Sequence, residues 1–233
     1  MTREELIRQV ALRMDEVTPD FPDFTIADIP VDGSDNNPLY ALIDGLIDAG
    51  ALELFSIAPY WRLPQKEFGS TNTIVESLPA LYNSRKIIRL KVADDFLRVA
   101  EIGCTDFQRP ITEAVPEISE RGKRQHNRFL MGREARPVGV MSHGKWGQSQ
   151  CREIDCYSLP STSSVTASSG VEATYIATPT MPLTADTTTQ IETVIPPVLV
   201  DALEWIVASR AFGARGDTNH AAICQQNAQN VLV

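Results

Sequence analysis

The run at positions 194–213, VIPPVLVDALEWIVASRAFG, constrains this fold more than any other stretch. Pro196 and Pro197 carry the fixed φ that suits the first turn of a helix. Leu199, Leu203 and Ile206 then recur at helical spacing, and Ala202, Val207, Ala211 and Phe212 widen the apolar stripe. Asp201 and Glu204 sit near the end of the helix where its dipole favours carboxylates, and Gly213 is the expected C′ stop. A helix this apolar must be covered. The candidates are the helix expected after it and the two expected near the N-terminus.

Those partners are legible from their own signals. Thr2 and Glu5 form a capping-box pattern, and Leu6, Ile7, Val10, Ala11, Met14 and Val17 line one face of a helix ending before Pro19. The acidic, Pro- and Asp-rich stretch 19–37 reads as loop. Asn37 and Pro38 start a second helix with Leu39, Leu42, Ile43, Leu46 and Ile47 in register; Gly50 is its expected stop, and 51–58 adds one or two turns before Pro59. From position 217 a final helix puts Ala221, Cys224, Ala228 and Val231 on one side, making a helical hairpin with the 194–213 helix through 214–216.

Between these helices the character changes. Positions 60–84 show little period. Strands are expected at 86–92 and 96–102 around a turn at 93–95, and again at 109–114, 137–142, 151–159 and 171–178. A small helix is expected within 116–131, bearing Arg121, Lys123, Arg124 and Arg128. The Ser/Thr-rich stretch 161–170 reads as a flexible loop, and the Thr-rich 179–193 as a second connector. The expected class is α+β, a bundle of N- and C-terminal helices with a central β-rich insertion. The expected division is 1–84, 85–193 and 194–233, with the last part packing on the N-terminal helices.

Apolar residues make up 43% of the 233 residues and charged residues 22%, enough for a sizeable core, with about 70% of the unfolded chain's surface buried. No apolar run approaches the ~20 residues of a membrane helix, so no membrane association is expected. MTREELIRQ has no signal-peptide h-region, so the chain is expected to be made and kept in the cytoplasm of its producer. Charge alternates in sign: positions 1–84 hold five Lys/Arg against fourteen Asp/Glu, 85–152 fourteen against eight, and 153–233 two against eight. Such a chain suits docking of a positive surface on the negative surface of a neighbouring copy.

The search for chemistry is mostly negative. The sequence has no P-loop, dinucleotide fingerprint, nucleophile elbow or HExxH pair, and no cofactor, metal site or catalytic residue is expected. Cys104, Cys151, Cys156 and Cys224 match neither zinc-ligand spacing nor a disulfide framework and read as reduced, partly buried thiols. His143 with Cys151 or Cys156 would make a nucleophile–base pair only if folding brought them together. Asp94 and Asp95 read as a solvated turn. Trp61, Trp146 and Trp205 read as core or interface anchors.

The basic segment 121–136, RGKRQHNRFLMGREAR, has the density of a phosphate-binding patch, with Phe129 available to stack on a base. Glu120 and Glu134 flank it. Arg121, Lys123, Arg124, Arg128, Arg133 and Arg136 are therefore expected to form a solvated face or a contact to an acidic protein partner. The alternative is a nucleic-acid-binding or DNA-packaging accessory protein using the same segment.

Three stretches carry a resemblance. VADDFLRVAEIGCTDFQRPITEAVPE, with Asp95, Phe96, Leu97 and Arg98 and then Arg109, Pro110, Ile111 and Glu113, resembles a segment of the head-to-tail connector proteins of tailed phages. Gln125 and Asn127 match its following polar stretch, and Arg136, Pro137 and Val138 the strand after that. IPPVLVDALEWIVASRAFGARGDTNHAAIC resembles the helical hairpin of these proteins. The likeness covers roughly 1–20, 86–142 and 194–233; it is greatest to the ring proteins of crAss-like phages and more distant to the adaptors of short-tailed phages. The chain departs in having Asp106 and Phe107 where a tryptophan is usual, and in its Ser/Thr-rich stretch 160–193. The resemblance implies a non-enzymatic virion protein at the head–tail junction, assembled in the host bacterial cytoplasm. It implies a closed ring, usually dodecameric, below the portal protein. Its partners would be other copies of itself, the portal and the next tail or ring protein, with genomic DNA passing transiently and without specific binding.

Overall fold

The apolar run at 194–213 becomes α4 (Val200–Ala214), preceded by a single 3-10 turn at Pro197–Leu199. The computed structural model describes residues 1–17, 38–78, 85–127, 129–146, 149–183 and 188–233. They divide into two units, one of Met1–Leu63 with Thr178–Val233, the other of Pro64–Ala177. The expected α+β class, with helices at both termini, is what the chain forms.

In the first unit, α4 packs against α1 (Arg3–Val17), α2 (Pro38–Ile57) and α5 (Thr218–Leu232). Ala202, Leu203, Ile206, Val207, Ala208 and Ala211 are fully buried, so all of its partners are drawn to one central rod. The Thr2–Glu5 capping box closes as expected: the Thr2 amide donates to Glu5 Oε2 at 2.7 Å and the Glu5 amide to Thr2 Oγ1 at 3.2 Å. Charged residues then fix which faces meet. Arg3 on α1 donates to Asp44 (2.7 Å) and Asp48 (3.1 Å) on α2 and to the Pro182 carbonyl (3.1 Å). Arg13 reaches Asp201 and Glu204 on α4 and stacks over Trp205 at 4.9 Å, while Arg210 on α4 donates to Glu53 on α2 at 2.7 Å.

Two glycines act differently from expectation. Gly50 does not stop the second helix, which runs unbroken to Ile57; it lies fully buried mid-helix where a Cβ would come within 2.6 Å of Val207 Cγ2. It is a point of close approach between α2 and α4. Gly213 also lies inside α4, at an exposed position where a Cβ would meet nothing within 4 Å. The stop is Gly216, at φ +82°, in a Schellman motif: the Asp217 amide donates to the Phe212 carbonyl and the Gly216 amide to the Gly213 carbonyl, both at 3.0 Å. Asp217 then caps α5 by accepting from the His220 amide. Trp205 is buried, whereas Trp61 is 69% exposed.

The second unit is a β-sandwich. Strands β1 (Gln65–Glu67), β4 (Phe96–Cys104) and β8 (Val171–Ala177) form an antiparallel sheet in the order β1-β8-β4. Strands β2 (Thr73–Ser77), β3 (Lys86–Lys91), β5 (Ala114–Pro116), β6 (Gly139–Trp146) and β7 (Ser149–Leu159) form a second, ordered β2-β3-β7-β6-β5, in which only β5 and β6 run parallel. Ile88, Leu90, Ile154 and Cys156 from the five-stranded sheet pack against Phe96, Val99, Ile102 and Tyr175 from the other. On the outer face of the five-stranded sheet, Val115, Val138 and Val140 make a smaller cluster with Tyr157. Beside it Arg89 spans Asp155 (2.8 Å), Glu153 (3.3 Å) and Glu76 (3.3 Å).

The unit boundaries fall at 63/64 and 177/178 instead of 84/85 and 193/194. β1 and β2 pair into the two sheets, which removes 64–84 from the helical part. On the other side, the Pro182 carbonyl bonds Arg3 and Ile191 is fully buried, which ties 178–193 to the helices. The strand expected at 109–114 reduces to one bridge, Ile111 with Ile102, since Pro110 lacks an N–H to donate. The small helix expected within 116–131 is one turn, α3 (Glu120–Lys123), followed by a 3-10 turn at Arg124–His126. The acidic stretch 19–37 lies outside the described residues.

Candidate functional site

The basic segment folds as a return loop built on the outer face of the five-stranded sheet. Ser119 begins it: its Oγ accepts from the Gly122 amide at 3.0 Å and donates to the Pro116 carbonyl at 2.6 Å. Gly122 is pressed on the preceding backbone, where a Cβ would sit 2.5 Å from the Pro116 oxygen. The chain then turns through Gln125, which is 2% exposed and acts as a strut. Gln125 Nε2 donates to the Arg121 carbonyl at 2.9 Å, and its Oε1 accepts from the Gly132 amide at 2.6 Å. A buried amide with both ends satisfied holds the two arms of the loop at fixed separation.

The returning arm is held from below. Gly132 packs within 2.9 Å (as its Cβ position) of Ser158 Oγ and the Tyr157 carbonyl, so no side chain fits there. The Gly132 carbonyl accepts from Arg85 Nη1 at 2.9 Å, and Arg85 also pairs with Glu134 at 3.3 Å. Arg133 and Arg136 close a tight turn through mutual backbone bonds of 3.3 and 2.8 Å. Ser158 Oγ accepts from the Val138 amide at 3.1 Å as the chain enters β6.

Between the arms lies a groove of about 510 Å³. Arg121 and Arg124, three residues apart on one turn, line one side, and Arg133 and Arg136, across the tight turn, line the other. Gln125, Met131, Gly132 and Val138 lie beneath, with all four buried, and Leu130 at 57% exposure contributes an apolar edge. Arg124 pairs with Glu120. Arg121, Arg133 and Arg136 have no carboxylate within 4 Å among the described residues. A volume of this size is that of a small-molecule site, and arginine is the commonest residue in its lining.

Of the six cations expected to act together, the structure gathers four in the groove. Lys123 lies on the same turn, exposed and outside the groove lining, and Arg128 lies outside the described residues. Phe129 is 71% exposed. Of the residues that give the groove its shape, Gln125 is marked in the sequence by the resemblance, whereas Arg85 and Gly132 have no signature of their own beyond the neighbouring basic density.

The other candidate chemistries do not assemble. His143 pairs in register with Arg152 and Gly144 with Cys151, so His143 and Cys151 project from opposite faces of the sheet. Cys156 is buried in the sandwich core, where burial pushes its thiol pKa far up and removes it as a nucleophile. Asp95 sits at the 94–95 turn, where Lys66 at 2.5 Å and the Tyr175 hydroxyl at 3.1 Å hold its carboxyl below the ordinary 3.8. Among the described residues no group of three or more His, Cys, Asp or Glu is placed to hold a metal ion. No family model matches the chain, and no curated protein matches it.

Proposed function

We propose that this protein is a structural subunit of the head-to-tail connector of a tailed phage, forming an oligomeric ring below the portal. One observation carries the reading. Three polar residues of the resembling stretches, Asp95, Gln125 and Asn127, hold the local chain in shape. Asp95 anchors the turn before β4 through Lys66 and Tyr175; Gln125 bridges Arg121 and Gly132; Asn127 Oδ1 accepts from the Phe129 amide at 3.0 Å. Ile111 docks the Arg-Pro-Ile stretch on Ile102 through paired bonds of 2.8 and 2.9 Å, and the C-terminal resemblance falls on the α4–α5 hairpin. Motif residues with these roles preserve a shape, which is what a ring subunit requires.

Charge distribution supports the same reading. The helical unit holds six Lys/Arg against seventeen Asp/Glu, and the β-unit fifteen against thirteen. Copies arranged head-to-tail in a ring present different faces to their two neighbours, and unlike charge on those faces favours closure in one sense. The partners in this reading are other copies, the portal and the next ring or tail protein, with DNA passing unbound. Among the described residues no helix is long and apolar enough to cross a membrane. Mass spectrometry of nuclease-treated, gradient-purified particles tests it. The chain should be present in a copy number close to that of the portal. Its absence from such particles overturns the reading.

A further inference from the structure

We infer that the arginine-walled groove is a binding site for a compact phosphate ligand, a function separate from ring assembly. Four arginines line one groove of about 510 Å³, and three of them have no carboxylate within 4 Å among the described residues. The ligand must therefore bring several negative charges into a small volume. A carboxylate side chain brings one, and an acidic peptide dense enough to match would have to thread its backbone between the arms. A phosphate brings about two charges and a diphosphate more, on tetrahedral oxygens that suit the planar guanidinium fork.

The framework is preorganised for such a ligand. Gln125 and Gly132 lock the separation of the two arginine pairs, and Arg85 pins the far arm to β3. The cost of ordering the loop is therefore met in the folded chain and is not charged against binding. The buried floor of Met131 and Val138 and the edge of Leu130 add an apolar surface beside the cations. That combination fits a phosphate group carried on an organic moiety. Four arginines along one groove of this size can hold one or two phosphates, fewer than the row of contacts that a protein tracking along DNA makes.

Titration calorimetry of the full chain with pyrophosphate, at low and at physiological salt, tests the inference. Saturable binding is expected, weakened roughly tenfold or more in the Arg133→Ala/Arg136→Ala double variant. The Lys123→Ala variant, which removes a neighbouring charge outside the groove, should bind as the parent does. The two arginines are exposed, so the double variant keeps the fold, which far-UV circular dichroism checks. No heat of binding at low salt overturns the inference, as does equal weakening by Lys123→Ala, which would mean diffuse attraction. A glutamate-rich peptide that binds the groove without displacement by pyrophosphate overturns it in favour of protein docking. Two further arms separate the sources of phosphate. A nucleoside triphosphate that competes better than a single-stranded oligonucleotide assigns a free nucleotide, and the reverse order assigns the nucleic-acid backbone.

Discussion

At Gly50 the helical unit has no room for a methyl group. A glycine-to-alanine change in a helix interior is ordinarily worth about 1 kcal/mol in favour of alanine. Here the added Cβ would meet Val207 Cγ2 at 2.6 Å, on a branched side chain that is itself fully buried in α4. Overpacking of this kind costs about 1–3 kcal/mol, so Gly50→Ala should lower stability in denaturant melts. A stabilised variant would mean that α2 and α4 do not approach as described. Asp95 gives a second test. Its folded pKa is depressed, by Lys66 first and with help from the Tyr175 hydroxyl. A depressed carboxyl contributes stability above its unfolded pKa and loses it as pH falls through the folded value. The stability gap between the parent and Asp95→Asn should therefore be constant near neutrality and shrink only at acid pH, below the ordinary carboxylate range. A gap that persists unchanged into strong acid would show that the ion pair is not its source.

Elements were legible in proportion to their length and period. The 15-residue α4 and 20-residue α2 carry their stripes openly, and the Thr2–Glu5 box marks the start of α1. β1 and β2 were not legible. β1 has three exposed residues, and its partner Ile176 lies more than a hundred positions from Gln65, so the pairing that makes it a strand has no local trace. The helix ends failed for a related reason. A glycine can stop a helix or admit a neighbouring helix, and at Gly50 only the packing of Val207 decides which. Gly216 is the position where φ +82° requires a glycine. Gly216→Ala should cost roughly 1 kcal/mol, since the space is open and only the backbone conformation is strained. Thermal melts showing no loss would mean that the α4–α5 turn does not depend on the left-handed residue. The groove divides the same way. Its basic density stands in the sequence, but its concavity depends on Gln125 meeting Gly132 across seven positions and on Arg85 from the start of another strand.

For the whole molecule, the chain is a helical unit made from both termini and a β-sandwich made from the middle. Seventeen of its thirty carboxylates lie in the first, and fifteen of its twenty-one basic residues in the second. That separation suits a subunit whose neighbours are copies of itself, and the ring reading places those copies at one vertex of a virion. Antibody labelling of phage particles purified from the source of the chain is the most direct measurement of that reading. Intact and tail-disrupted particles would be labelled and the positions scored in negative-stain images. The connector reading expects label at a single vertex or at the neck, gained or strengthened when the tail is removed. Label absent from both preparations, or spread over the capsid shell, would contradict it.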